Sequence, residues 1–534
     1  MTKPIKVIDL FAGPGGLGEG FSAYRINKKS VFKIAISIEK EESAHRTLLL
    51  RALFRQFDKK DVPEEYYAFL RGELGKNPED ELYKLPKLQT ALKKARIEAQ
   101  QLTLGKDNQQ TIYGKIRDAI GKDECILIGG PPCQAYSLAG PARNRGVNGK
   151  NYSATDDHRN FLYKEYLKVI AKFQPKLFVM ENVKGMLSAK VDGKPIFQSI
   201  RKDLQNPSTS ANVKPDNGRL KHKYKLFSFV SKTGNLDLLN NSNNELEPHD
   251  FIIRAEEYGL PQARHRVIVL GIREDIASKL NDFQRLKKSK HKITVRQVMS
   301  DLPKLRSRLS KGIDSTDNWR DAINSITNST LRSIRKDLLV PAKIYDDFIQ
   351  QLDKIMNSPK GTGKDKGLLR TNNEYNKNLP TDLKKWYRDK RLGRYVTNHE
   401  SRGHIAKDLH RYLYYSTYAK NLGTSPTSKS LPKALWPAHK NFKTGKFSDR
   451  FRVQLSKQPG TTVTCHISKD GHYFIHYDPI QCRSLTVREA ARIQTFPDNY
   501  YFVGNRTQQY VQVGNAVPPF LAKQIANIVS KIIN

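Results

Sequence analysis

The feature that most constrains this chain is a short apolar run that breaks at once into glycines. Residues 6–10 read KVIDL and residues 9–21 read DLFAGPGGLGEGF. An apolar run of that length ending in a Gly-rich turn is a buried strand that feeds a helix. Gly13, Gly15 and Gly18 have the spacing G-x-G-x-x-G, which lets backbone approach a ligand at a helix N-terminus. Further apolar runs occur at residues 34–39 (IAISIE), 126–129 (ILIG), 177–181 (LFVME) and 267–272 (VIVLGI), with helical patterns between them, as at residues 158–173. Such alternation predicts an α/β fold built on a doubly wound, mostly parallel sheet. The chemistry then belongs at the carboxyl ends of the strands.

Three stretches interrupt the rhythm. Residues 51–105 are charged and helical in character and read as an insertion between early strands; residues 206–223 and 235–250 are Asn-, Ser- and Lys-rich and read as surface loops. From residue 274 to 476 the alternation is lost. That span carries Trp319, Trp386 and Trp436, the tyrosines at 412, 414, 415 and 418, and a glycine- and lysine-rich link at residues 358–367. It reads as a separate domain, between a catalytic domain at 1–273 and a closing segment at 477–534.

Lysine and arginine number 93 against 53 acidic residues, a formal charge of +40. A field of that sign points to a polyanion, nucleic acid before membrane, since no basic amphipathic helix with an aromatic face is present. No apolar run approaches membrane-spanning length. The first motif begins at Asp9 and leaves no room for a signal peptide, so a cytoplasmic protein is expected. The cysteines, Cys125, Cys133, Cys465 and Cys482, form no Cys-x-x-Cys pair. Neither a zinc ribbon nor a redox motif is expected, and no metal.

The glycine loop alone leaves nicotinamide and flavin cofactors open. The next loop narrows the field. Residues 126–137 read ILIGGPPCQAYS, so a strand runs through two glycines and two prolines into Cys133. The prolines fix the backbone and hold the thiol at the end of a strand, a poor place for a core cysteine.

At these residues the chain resembles the DNA cytosine-5 methyltransferases. Pro131-Pro132-Cys133-Gln134 resembles their catalytic loop, Glu181-Asn182-Val183 their second catalytic motif, and residues 262–266 (QARHR) their Gln-x-Arg-x-Arg motif. Residues 488–497 (REAARIQTFP) and 512–518 (QVGNAVP) resemble the late helix and the terminal motif, all in the family's order. The resemblance implies a class I, Rossmann-like, S-adenosylmethionine-dependent methyltransferase with a target-recognition domain. Cys133 is then the nucleophile, Glu181 the general acid with its pKa raised by burial, Arg266 the holder of the exocyclic oxygen, and Arg264 a support for loop and carboxylate. Asn182 fixes the loop. The cofactor site uses Phe11, Gly13, Gly15, Gly16, Glu39, Pro132 and Asn515. Where the family has an acidic residue for the adenine amine, the corresponding stretch, residues 112–118 (IYGKIRD), offers Lys115.

The chemistry suits these residue types. Carbon 5 of cytosine is a weak nucleophile until a thiolate adds at carbon 6, and protonation at ring nitrogen 3 eases that addition. A base inside a duplex is out of reach and has to be flipped out. Residues 134–140 with the basic 141–150 (PARNRGVNGK) read as a loop that closes over it. In the middle domain Lys287, Lys288, Lys290 and Lys292 offer phosphate contacts. Residues 461–464 (TTVT) before Cys465 resemble the end of the family's recognition region, and also read as a plain strand. The expected partner is double-stranded DNA, the expected state a monomer, and the expected setting a bacterial restriction system with a partner endonuclease. The rivals are an RNA cytosine methyltransferase on the same fold, a nicotinamide enzyme and a catalytically silent DNA binder.

Overall fold

The computed structural model describes residues 3–132, 160–191, 194–216, 220–231, 246–357, 368–369, 375–427, 430–437 and 451–533. Cys133 and the loop at 134–150 lie outside the described residues, as does the link at 358–367.

The sheet has eight strands: β1 (Ile5–Leu10), β2 (Phe32–Glu39), β3 (Ala99–Gln101), β4 (Cys125–Gly129), β5 (Leu177–Val183), β6 (Tyr224–Ser228), β7 (Ile252–Arg254) and β8 (His265–Arg273). Their order is β6-β8-β5-β4-β1-β2-β3, with β7 paired to β8. β1, β2, β3, β4 and β5 run parallel to their neighbours in that set, and β8 turns antiparallel against β5, β6 and β7. The strands expected from the sequence are all present. β3, β6 and β7 were not anticipated; each is short, and β3 is the polar tripeptide AQQ.

Burial on both faces explains the unbroken apolar runs. Ile8, Leu10, Leu127, Phe178 and Met180 enter one hydrophobic cluster, while Val7, Ile126, Ile128, Leu177 and Val179 enter the other. Alternate residues thus serve opposite faces, with the period of two that a strand imposes. The second face is covered by α1 (Gly16–Ser22) and by the last helix of the chain, Pro519–Ile533. From β1 the chain winds outward to β2 and β3, then returns to the other side of β1 for β4 and β5. The crevice between the carboxyl ends of β1 and β4 is therefore the switch point, where such sheets bind ligands.

The insertion is helical as expected, with helices Glu64–Arg71, Pro78–Lys84 and Gln89–Glu98 packed with α2 (Glu42–Arg55) around a core that also takes in Leu392 and Val503. It ends in the edge strand β3, so part of the expected insertion belongs to the sheet. Beyond Arg273 no described strand exceeds two residues. In that span Trp319, Ile323, Phe348, Leu409, Tyr412, Tyr414 and Tyr415 build one core. A second cluster joins Ile293, Val295, Met299, Leu383, Trp386 and Tyr387 to Val487, Ile493, Phe496, Tyr510 and Val513 of the closing segment. The buried tyrosines of helix Ala406–Leu422 are thus core residues.

Asp9 breaks the apolar pattern of β1. It is fully buried, neither carboxylate oxygen has a hydrogen-bond partner, and burial pushes its pKa up to about 8. A Cβ at Gly18 would stand 2.9 Å from its Oδ2, so the helix above it is fitted to the carboxyl group. A pKa raised on folding gives stability that is complete below the unfolded value near 4 and is lost as pH rises towards 8. Asp9→Asn keeps the site neutral. Its stability relative to the parent should therefore grow from pH 4 to pH 8, by at most ~1.4 kcal/mol per pH unit. Denaturant unfolding across that range measures the difference; a gap independent of pH would refute a protonated Asp9.

Candidate active site

The loop after β1 is shaped by its backbone. Phe11 has φ 55, a conformation that costs a bulky residue energy and that persists where surroundings impose it. Gly13 and Gly15 have φ 56 and 95, where glycine is at ease. The Gly13 N–H donates to Glu39 Oε2 at 2.8 Å, and the Glu41 N–H donates to Oε1 at 2.8 Å. Glu39, at the end of β2, is thereby held beside the loop, and burial raises its pKa. No atom lies within 4 Å of a Cβ built on Gly13, so space opens there.

The closing segment completes the loop from the other side. A Cβ on Gly16 would overlap the carbonyl oxygen of Val517, and the Tyr500 hydroxyl donates to Pro14 O. Asn515 ends α3 (Arg506–Asn515) at the surface, one residue before the buried Ala516 and Val517. The sequence-predicted Phe11, Gly13, Gly15, Gly16, Glu39 and Asn515 thus lie on the loop, the adjoining strand end and the turn that packs against them.

Across the crevice, the turn after β4 carries Gly130, Pro131 and Pro132. Asn182 donates from Nδ2 to Pro131 O at 3.1 Å, and its Oδ1 accepts the Val183 N–H at 2.8 Å. That is the loop-fixing part the sequence suggested. Glu181 stands over the same turn: a Cβ on Gly130 would be 3.0 Å from its Oε2. Arg266, at the start of β8, lies alongside because Arg266 and Val183 are register partners. Its Nε meets Glu181 Oε1 at 2.9 Å, with both side chains largely buried. The sequence reading assigned the support of this carboxylate to Arg264, whereas the guanidinium that meets it is that of Arg266. Burial lowers the Arg266 pKa, and the Glu181 charge opposes that shift.

Arg264 is placed differently from the expectation. Its guanidinium does not reach the Glu181 carboxylate; it donates from Nη1 to Val463 O at 2.8 Å and makes longer bonds of 3.4 Å to Gly514 O. The cause is register: Gln262–Ala263 forms a parallel bridge with Gly460–Thr461, which turns Arg264 towards that segment. Residues 461–464 are therefore bound to the strand that leads to Arg266.

A second correction concerns the position assigned to the adenine amine. Residues 112–118 lie in helix Gln109–Ile120, and the strand before it is β3. The residue at the carboxyl end of β3 is Gln101, the register partner of Glu39, and its side chain is exposed. Lys115 sits on the helix. The polar tripeptide AQQ gave no strand signal from which Gln101 could have been found.

Among the described residues, no group of three His, Cys, Asp or Glu could hold a metal ion, and no helix is long and apolar enough to cross a membrane.

The chain is similar to known proteins over most of its length. Residues 95–207 and 239–531 match the model of the C-5 cytosine-specific DNA methylase family. The type II methyltransferase M.Bpa9945I of Bacillus paralicheniformis is 32% identical over 99% of both chains. The type II methyltransferase M1.HphI of Haemophilus parahaemolyticus is 25% identical over 76% of this chain and 68% of its own. The DNA (cytosine-5-)-methyltransferase M.ApeKI of Aeropyrum pernix is 25% identical over 78% of this chain and 82% of its own.

The packing of the closing turn on the glycine loop can be tested by paired substitutions. Gly16→Ala drives a methyl group into the Val517 carbonyl and should destabilise by about 1–3 kcal/mol. Gly13→Ala meets open space and should cost only the ~1 kcal/mol of a positive φ. Equal unfolding midpoints for the two variants would contradict that packing.

Proposed function

The chain belongs to the C-5 cytosine-specific DNA methylase family, and from that premise we propose how its residues divide the reaction. The observation that carries the assignment is the Arg266–Glu181 ion pair over the turn that leads into Cys133. A cytosine flipped out of duplex DNA would enter the crevice between β1 and β4. The Cys133 thiolate adds to carbon 6. Glu181 gives a proton to ring nitrogen 3, and Arg266 holds both the Glu181 carboxylate and the exocyclic oxygen. Cys133 lies outside the described residues, so its part rests on the sequence motif. Arg264 is a positioning residue in this scheme.

The residues on the other side of the crevice fit S-adenosylmethionine. Glu39 offers a carboxylate fixed by two backbone N–H groups, the loop at Gly13 has room, and Asp9 is a buried carboxyl group without a hydrogen-bond partner. Phe11, Gly13, Gly15, Gly16, Glu39, Pro132 and Asn515 would hold the cofactor, with Gln101 rather than Lys115 beside the adenine. When bound, S-adenosylmethionine supplies an electrophilic methyl group for carbon 5. A base, solvent water included, then takes the carbon 5 proton, the Cys133 thiolate leaves carbon 6 as the C5–C6 double bond re-forms, and ring nitrogen 3 returns its proton to Glu181.

The span from 274 to 476 would read the target sequence in double-stranded DNA, with residues 1–273 and 477–534 as the catalytic unit. The enzyme would act as a monomer in the cytoplasm, as the modification partner of a restriction endonuclease. The names of its relatives M.Bpa9945I and M1.HphI, both type II methyltransferases, support that setting.

The test uses tritiated S-adenosylmethionine and unmethylated DNA, with a Cys133→Ser variant in parallel. Label should appear at carbon 5 of cytosine in one short motif and be lost in the variant. Label on RNA alone would move the substrate, and label retained by Cys133→Ser would remove the nucleophile. Glu181→Gln should lower kcat by about 10²–10⁴, the usual share of a general acid, with DNA binding retained. A single-turnover rate equal to the parent's would show that Glu181 does not deliver the proton.

A further inference from the structure

Two glutamines, both fully buried, stand between the parts of the site. Gln262 begins the Gln-x-Arg-x-Arg stretch, and Gln494 follows helix Val487–Ile493. Gln262 Oε1 accepts the Val463 N–H at 2.9 Å. Gln262 Nε2 donates to Gln494 Oε1 at 2.8 Å and to Ile493 O at 3.2 Å. Gln494 Nε2 donates to Val513 O at 2.7 Å and Ala516 O at 3.0 Å. The direction is forced. Because Gln494 Nε2 faces two carbonyls, its oxygen has to accept from Gln262, whose own oxygen then has to accept from Val463.

Arg264 runs beside this relay. The Val463 peptide is gripped twice, through N–H by Gln262 and through C=O by Arg264, and Arg264 also reaches Gly514 O. The segment 460–463 and the turn 513–516 are thus tied to each other through Gln262, Arg264 and Gln494. The first adjoins the strand that presents Arg266; the second contains Asn515 and runs directly into Val517, which abuts Gly16. If either end moves, buried amides lose partners in a dry interior, which makes the set cooperative.

We propose that the Gln262–Gln494 amide relay, with Arg264, couples cofactor binding at the 513–516 turn to DNA binding beside the 460–463 segment. These are positioning residues, and they deepen the reading of the cofactor site given above. By linkage, DNA and cofactor then strengthen each other's binding by the same factor.

The experiment measures the Kd of S-adenosylhomocysteine alone and with saturating unmethylated plasmid DNA. In the parent protein the ratio should be about tenfold or more. In Gln494→Met, which keeps volume and removes the relay, it should fall to within about twofold of one. A role in folding alone would shift stability and leave the ratio. Gln494→Glu guards against misfolding of that variant: it retains the acceptor for Gln262 and regains a donor when protonated. Its ratio should be low at pH 8.5 and recover at pH 6. A parent ratio near one, a parent-like ratio in Gln494→Met, or a parent-like and pH-independent ratio in Gln494→Glu overturns the coupling. A parent that does not bind S-adenosylhomocysteine at all would instead remove the cofactor reading beneath it.

Discussion

The site depends on the return of the chain's last helix onto its first. Gly16 and Gly20 in α1 have no side chain, and a Cβ at either would collide with Val517 or Ala522. That closeness brings Pro519–Ile533 into the core face of the sheet and sets the Asn515 turn against the glycine loop. Everything between, some of it highly polar, is carried as a loop closed by this contact. Loop length adds little to the cost, about 0.6 kcal/mol per doubling. Large insertions are therefore compatible with an unaltered crevice.

The same logic of close fit governs the charges. Glu19 in α1 is bonded by both oxygens to Arg51 of α2, at 2.6 and 2.8 Å, so the insertion is anchored directly under the loop. Arg483, Arg488 and Arg492 are all fully buried. Arg492 pairs with Asp498 and Asp301, Arg483 with Glu489, and Arg488 donates to the carbonyls of Thr397, Pro497 and Tyr500. Buried guanidinium groups cost several kcal/mol to desolvate and are tolerable only when each is so satisfied. They bind the middle span to the closing segment with directional bonds, where apolar packing alone would permit sliding.

Much of this was legible in the residues. Strands buried on both faces wrote themselves as KVIDL, ILIG and LFVME, and the loops after them bore glycine, proline and the candidate site residues. What was lost had weak local signals. β3 is one alanine and two glutamines at a sheet edge, so the amide of Gln101 could not be separated from the helical insertion before it. Arg264 and Arg266 look equivalent two residues apart in one motif. Only the bridge between Gln262–Ala263 and Gly460–Thr461 turns one towards backbone carbonyls and leaves the other on Glu181. Gln494 lay in a motif whose apolar periodicity explained its helix and hid its amide. Long-range pairing decided each of these, and pairing has no local pattern.

The two cores of the middle span bear on how such enzymes diversify. The core around Trp319, Phe348 and Tyr415 takes Cys482 from the closing segment, with Tyr477 and Ile480 packed at its edge, whereas Ile293–Met299 and Leu383–Tyr387 share with that segment a core it largely builds. A recombination event that exchanged residues 274–476 whole would tear the second core and strand Arg492 without Asp301. One that exchanged only the part around the first core would keep the second core and the Arg492–Asp301 pair, and would have to match Cys482 alone of the fully buried closing residues. The unit that can be exchanged without tearing the rest is thus smaller than the stretch in which the alternating pattern is missing.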